Sequence, residues 1–244
     1  ADFAQWQRRW QTPERLAAEL SHWRCQLDGA PLVLELPGDH PRPPVQTFRG
    51  GLVPFALSPQ QARAVRELAL AQGATPFMVL LAALQAWLYR MTGQRDLLVG
   101  SPVAGRPHRE LDRTLGCFVE SLLFRARFDE LPRFIELVAT ARRDALDAYA
   151  RPTVPFELLV EAMRPPRDRS RNPLFQIMFA LQRTPSAARA AGALQLTPLL
   201  PDSQIAKLDL GLHLSDDGEG FHGFFEYSSD LYARASVEAF ARSF

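Results

Sequence analysis

The chain has 244 residues, 47% of them hydrophobic and 23% charged, which is the composition of a globular protein able to bury a sizeable core. Its formal net charge of +1 argues against a nucleic acid or an anionic membrane surface as the main partner. Cys25 and Cys117 offer neither a metal-ligand spacing nor a disulfide framework, so both are expected to be buried free thiols in a reducing cytoplasm.

The opening "ADFAQWQRRW" does not read as a signal peptide. Trp6, Trp10, Leu16, Leu20, Trp23 and Leu27 follow a helical rhythm, broken once at "TPERL". There Thr12 is placed to cap and Pro13 takes the first helical position. Residues 1–30 are thus expected to be a helix, or two end to end, leading into the domain. Residues 31–57, with "LPGDHPRPPVQTFRG", form a Pro-rich connector without periodicity that should lie extended over a surface.

The body of the domain is assigned to residues 58–244. "SPQQARAVRELALAQG" is a helix with Ser58 as cap, Pro59 in the first turn and Gly73 as stop. "TPFMVLLAALQAWLYRMTG" repeats that grammar with Thr75, Pro76 and Gly93; apolar nearly all round but for Gln85, it is too short for a membrane span and should be central. "DLLVGSPVAGR" reads as a strand running into a turn, and "GCFVESLLFRARF" as a strand. "LPRFIELVATARRDALDAYA" and "VPFELLVEAM" are amphipathic helices. After the charged "PPRDRSRNP", the run "LFQIMFALQ" enters the sheet, followed by a mobile small-residue loop, "RTPSAARAAG". "ALQLTPL", "LDLGLHLS" and "FHGFFEY" are further strands, the last two joined by the hairpin turn "DDGEG". "ASVEAFARSF" begins a last helix that the chain end cuts short. The order predicts an α+β fold, a mixed β-sheet with helices packed on one face.

Autonomous chemistry is not legible. His22, His40, His108, His213 and His222 are scattered, with no metal-binding spacing. His213 and His222 lie on opposite strands of one hairpin and are a weak candidate pair. Asp216, Asp217 and Glu219 resemble a cation loop but lack its spacing, and read as a solvated hairpin tip. No phosphate loop and no nucleophile elbow is present.

Six stretches in order resemble the condensation domain of nonribosomal peptide synthetases, a member of the chloramphenicol-acetyltransferase-like superfamily. They are "DFAQWQRRW", "LPGDHPRPPVQTFRGG", "VGSPVAGRPHRELDRTLGCFVESLLFR", "VPFELLVEAM", "RDRSRNPLFQIMFALQ" and "AKLDLGLHLSDDGEGFHGFFEYSSDLY". The resemblance implies one chloramphenicol-acetyltransferase-like lobe, the C-terminal one. The family's H-H-x-x-x-D-G signature belongs upstream of "DFAQWQ", and no adjacent histidine pair occurs in this chain. So no catalytic residue is assigned here, and the lobe alone is expected to be inactive. The complete domain would join donor and acceptor groups carried as phosphopantetheine thioesters on carrier proteins, with no cofactor bound directly and no metal. The partners so implied are the N-terminal lobe, the two carrier proteins and, through an exposed inter-lobe face, a second copy of the chain.

By the same resemblance, tunnel or structural roles fall to Arg106, Phe118, Glu120, Ser121, Pro155, Phe156, Glu157, Asp168, Arg171, Asn172 and Phe175. Arg106 would brace the aspartate of the absent signature. Arg167, Asp168, Arg169 and Arg171 are expected to form a hydrogen-bonded cluster before the strand, with Asn172-Pro173 setting the turn. Two departures from the family pattern leave activity open even for the intact domain: Arg151-Pro152-Thr153 stands for H-Q-D, and Glu120-Ser121 for N-T. Burial should favour the neutral form of Glu120 unless an arginine pairs with it. A non-catalytic, condensation-like binding module and an epimerisation-domain fragment are the alternative readings.

Overall fold

Proline-led caps start the helices where the sequence places them. The computed structural model describes residues 2–106, 108–128, 132–151, 154–183, 189–191, 194–196 and 203–244. In chain order the elements are α1 (Asp2–Trp10), α2 (Pro13–Leu27), β1 (Gly50–Ala56), α3 (Pro59–Ala71), α4 (Pro76–Thr92), β2 (Asp96–Ala104), a 3-10 turn (Arg109–Leu111), β3 (Val119–Arg127), α5 (Phe134–Ala150), α6 (Phe156–Met163), β4 (Ile177–Arg183), β5 (Arg189–Ala191), β6 (Leu194–Leu196), β7 (Leu210–Asp216), β8 (Phe221–Ser228) and α7 (Arg234–Ser243). Ser58 and Gln61 close a capping box on α3, each accepting the other's backbone N–H at 3.3 and 2.9 Å. Gly93 ends α4 at φ 68°, a left-handed position that suits a residue without Cβ.

Six strands form one mixed sheet in the order β1-β8-β7-β4-β2-β3. β1/β8, β8/β7 and β2/β3 pair antiparallel, while β7/β4 and β4/β2 pair parallel. β2 meets β4 at one register position, Gly100 opposite Met178. Helix α4 is central, as its all-round apolarity requires: Leu81, Leu84 and Leu88 are fully buried. Its Phe77 meets Phe124 of β3 at 5.7 Å, Phe179 of β4 at 5.2 Å and Tyr149 of α5 at 6.4 Å. Trp87 of α4 meets Phe240 of α7 at 5.6 Å, so α4, α5 and α7 share that face of the sheet. Rings of this size dominate the burial that drives folding.

Three expectations change. The connector is not all surface: Leu34 and Leu36 are buried, and its end is the edge strand β1, which the proline Pro54 and a run of glycines concealed. Cys25 and Cys117 are exposed, because Cys25 lies on the outer side of α2 and Cys117 in the loop before β3. Of the stretch read as a mobile loop, Arg183 ends β4 and Arg189–Ala191 form β5, paired antiparallel with β6; residues 184–188 and 192 lie outside the described residues. Among the described residues, no single helix is long and apolar enough to cross a membrane.

Candidate functional site

The motif stretches converge on two places. The first is a seam where the connector crosses the loop before β4. Gln176 is 1% exposed and its side chain is fully used: Oε1 accepts the Leu34 N–H at 2.7 Å, and Nε2 donates to the carbonyls of Leu32 and Asn172 at 3.1 and 3.0 Å. Arg42 forks onto both oxygens of buried Asp209, at 3.0 and 2.5 Å, and donates to the Ser170 carbonyl at 3.1 Å. Burial works against the Arg42 charge, yet the bonds to Asp209 outweigh it and hold its pKa above the ordinary value. Burial, reinforced by Asp209, likewise keeps the Tyr232 phenol neutral. Asp39 fastens the connector to α7, accepting from Ala233 N–H and Ser236 Oγ at 2.8 Å each.

The charged run before β4 is a smaller brace than its sequence suggests. Asp168 Oδ1 accepts from Ser170 N–H and Oγ at 2.8 and 2.6 Å, and Oδ2 from Arg171 Nε at 2.8 Å. These bonds, those from Ser170 foremost, hold its carboxyl below the usual range. Arg171 also reaches Glu35 of the connector at 2.9 Å. Arg167 and Arg169 do not join the cluster; both are exposed, and Arg169 contributes its backbone carbonyl, which accepts from Gln46 N–H at 2.9 Å. Leu174, at φ 70°, and Phe175 are buried ahead of β4 rather than in its ladder.

Phe175 explains Gly100. A Cβ at Gly100 would collide with the Phe175 ring, so the absence of a side chain lets the ring lie over β2 where that strand meets β4. Phe156, in the first turn of α6, meets Phe175 edge-on at 5.6 Å. Pro155 sets the start of α6, its carbonyl accepting from Leu158 and Leu159 N–H. Residues of three separate motifs therefore touch here, on the sheet face opposite Phe77. Pro152 and Thr153 lie outside the described residues.

The second place is a cleft of about 540 Å³ between α1, the adjoining ends of β2 and β3, and the end of α5. Phe3, Trp6, Trp10, Arg106, Glu120 and Tyr149 line it. Trp6 and Trp10 stack at 5.8 Å, and His108 meets Trp6 edge-on at 4.8 Å. Arg106 donates to the Leu111 carbonyl and lies 4.1 Å from the centre of the Phe118 ring, whose edge meets Phe3. Arg106 is thus paired locally. Glu120, opposite Val103 in the β2/β3 register, is half-buried, and burial pushes its carboxyl up, with Glu157 at the start of α6 adding to the effect. Ser121 stands opposite Pro102 and, by the strand's alternation, points to the other face. Among the described residues no arginine pairs with Glu120.

The other candidates resolve into structure. His213 stacks on Phe224 at 5.0 Å, where burial lowers its pKa, while His222 lies 3.7 Å from Asp217, so the two histidines serve separate contacts. Asp216 and Asp217 accept backbone N–H groups of the hairpin tip, and Asp216 pairs with Arg66 at 2.8 Å. Asn172 supplies a carbonyl to Gln176, while its buried Oδ1 has no hydrogen-bond partner among the described residues. Gln176, Arg42 and Asp209 escaped the sequence reading. The signals that could have found them were a glutamine inside an apolar run, an arginine among prolines and an aspartate between leucines.

The comparisons with known proteins agree with this fold. The family model of the condensation domain matches residues 1–244, and the chain belongs to that family. It is 40% identical over 237 residues to malpinin synthetase of Mortierella alpina, covering 97% of this chain and 3% of that protein. It is 39% identical over 245 residues to phosphinothricin tripeptide synthetase PhsC of Streptomyces viridochromogenes, covering 98% of this chain and 22% of that protein. The chain thus spans a small part of the curated relatives it matches. Among solved structures it resembles a four-domain nonribosomal peptide synthetase bound to AMP and glycine, with TM-score 0.88 and 25% identity over 97% of this chain and 19% of the other. It also resembles the X-domain from teicoplanin biosynthesis in its complex with OxyB, with TM-score 0.86 and 26% identity over 99% of this chain and 55% of the other. The fold is the chloramphenicol-acetyltransferase-like one of condensation domains.

Proposed function

We propose that this chain is the C-terminal half of a nonribosomal peptide synthetase condensation domain and needs the N-terminal lobe to act. One observation carries the reading: the family match runs through all 244 residues, yet they contain no adjacent histidine pair. The 55% coverage of the X-domain chain supports a share of about one lobe in two. In the complete domain the acceptor amine attacks the donor thioester carbonyl. The C–N bond forms, the C–S bond breaks, and the amine's proton leaves with the thiol of the donor's phosphopantetheine arm. Positioning two tethered reactants supplies much of the acceleration.

In this reading the lobe furnishes a tunnel wall and part of the carrier-docking surface. Glu120 and Phe118 stand at the tunnel, and Ser121 lies on the other face of β3. Phe156, Phe175, Asp168, Arg171 and Asn172 hold the wall behind it. Arg106 exchanges its local partners for the aspartate of the other lobe. Leu115, 99% exposed, and Val119, 63% exposed, mark the apolar surface that the second lobe or another copy would cover.

The test is amide formation between loaded donor and acceptor carriers, using this chain alone and mixed with a separately made N-terminal lobe. Product only in the mixture is expected. Product from this chain alone, or from neither sample although the lobes associate, would sink the reading. The second outcome favours a recruitment module, a role suggested by the X-domain, which is solved in complex with OxyB.

A further inference from the structure

The cleft beside α1 contains a carboxylate that none of the described residues pairs with. Its two arginines are already engaged, Arg151 by Asp147 at 3.3 Å and Glu19 at 3.9 Å and Arg106 by the Leu111 carbonyl and the Phe118 ring, while His108 packs edge-on against Trp6. Glu120 has no hydrogen bond or ion pair among the described residues, and its one charged influence is a second carboxylate, Glu157. Phe3, Trp6, Trp10 and Tyr149 line the same cleft, the first three stacked in a row along α1. A half-buried carboxylate with no ion-pair partner among the described residues, in a cleft that aromatic rings also line, suits an organic ammonium, which gains ion pairing from the carboxylate and cation–π attraction from an open ring.

We propose that Glu120 and the aromatic wall of this cleft select a substrate whose side chain carries a cationic amine. The inference rests on the reading of the chain as a condensation lobe and adds the substrate class. The amine concerned is a side-chain one. A carboxylate stabilises the protonated form of its guest, and a protonated amine has no lone pair with which to attack a thioester. Glu120 is therefore a specificity-determining residue, remote from the bond that forms. Glu157 reinforces the negative potential from the start of α6. Binding of a cation restores the ionised state that burial disfavours in the empty cleft.

The experiment titrates this chain with the cysteamine amides of lysine and of norleucine, probes that share the α-amine and differ by the side-chain ammonium. Binding is followed by tryptophan fluorescence, for Trp6 and Trp10, and by amide NMR shifts along β3. The lysyl probe is expected to bind at least about tenfold more tightly, with shifts centred on Glu120. Glu120→Gln, and Glu120→Asn as a second neutral variant, should bring lysyl affinity down to the norleucyl level. Equal affinities, a preference that survives both variants, or no binding by either probe overturns the proposal. A parallel assay of the reassembled lobes separates the two readings. Amide formation as fast with norleucyl as with lysyl acceptors defeats the selectivity and leaves the condensation reading intact. A lysyl binding preference without amide formation from any substrate does the reverse.

Discussion

The seam under the connector and the cleft beside α1 draw on the same residue types, Arg, Asp, Glu and aromatic rings, and treat them in opposite ways. At the seam Gln176, Arg42 and Asp209 are buried or nearly so, and their polar atoms meet partners. At the cleft Glu120 is half-buried and, among the described residues, unpaired, and the rings of α1 meet one another. Burying a polar group without a partner costs stability, so a chain keeps such a group where another advantage offsets the loss. The seam thus reads as scaffold and the cleft as the place where a second molecule completes the bonding.

Breaking the seam should have the largest effect. Asp209→Ala strands the Arg42 guanidinium beneath the connector, a loss expected at about 3–5 kcal/mol and read from chemical denaturation. An unchanged midpoint would show that the fork holds nothing together. Next comes Gln176→Ala, which leaves the Leu34 N–H and the Leu32 and Asn172 carbonyls without their side-chain partner; about 2–3 kcal/mol should be lost, with hydrogen-exchange protection falling first at Leu34. Protection lost evenly over the whole sheet would mean that the connector is not a separate cooperative piece.

The cleft should respond least, and with the opposite sign. In the unfolded chain the Glu120 carboxyl releases its proton around its ordinary value of 4.5, whereas in the fold it keeps the proton to higher pH. Across that window the unfolded state binds fewer protons, so Glu120 lowers stability as pH rises. Glu120→Gln should therefore be neutral below the window and slightly stabilising above it, within about 0.5 kcal/mol. Denaturation midpoints measured from pH 4 to pH 7 would show it; a loss of stability on substitution at pH 7 would mean that Glu120 has a partner in the fold.

Much of the fold was legible because caps and periodicity are local. Thr12-Pro13, Ser58-Pro59 and Thr75-Pro76 announce α2, α3 and α4, and the apolar surround of α4 announces its central place. β1 was hidden because glycines and Pro54 mask strand propensity, and an edge strand gains its stability from its neighbour, here β8. The charged run before β4 divides between a brace and solvent. Four charges close in sequence suggest one cluster, but the backbone turn sends Arg167 and Arg169 to solvent and brings Glu35 in from the connector. At the cleft, residue identity predicted the burial effect on Glu120, whereas the lack of an arginine partner follows from where Arg106 and Arg151 come to rest.

The sequence by itself determined the family, through six ordered stretches, and the helix boundaries, through residues that act within a turn of themselves. It also showed the lack of an adjacent histidine pair, which needs no coordinates. Only the tertiary structure decided which polar groups are spent and which stay free. Arg42 meets Asp209 across 167 positions and Gln176 meets Leu34 across 142. Pairing at such separations depends on how the chain closes on itself, and no local pattern encodes it.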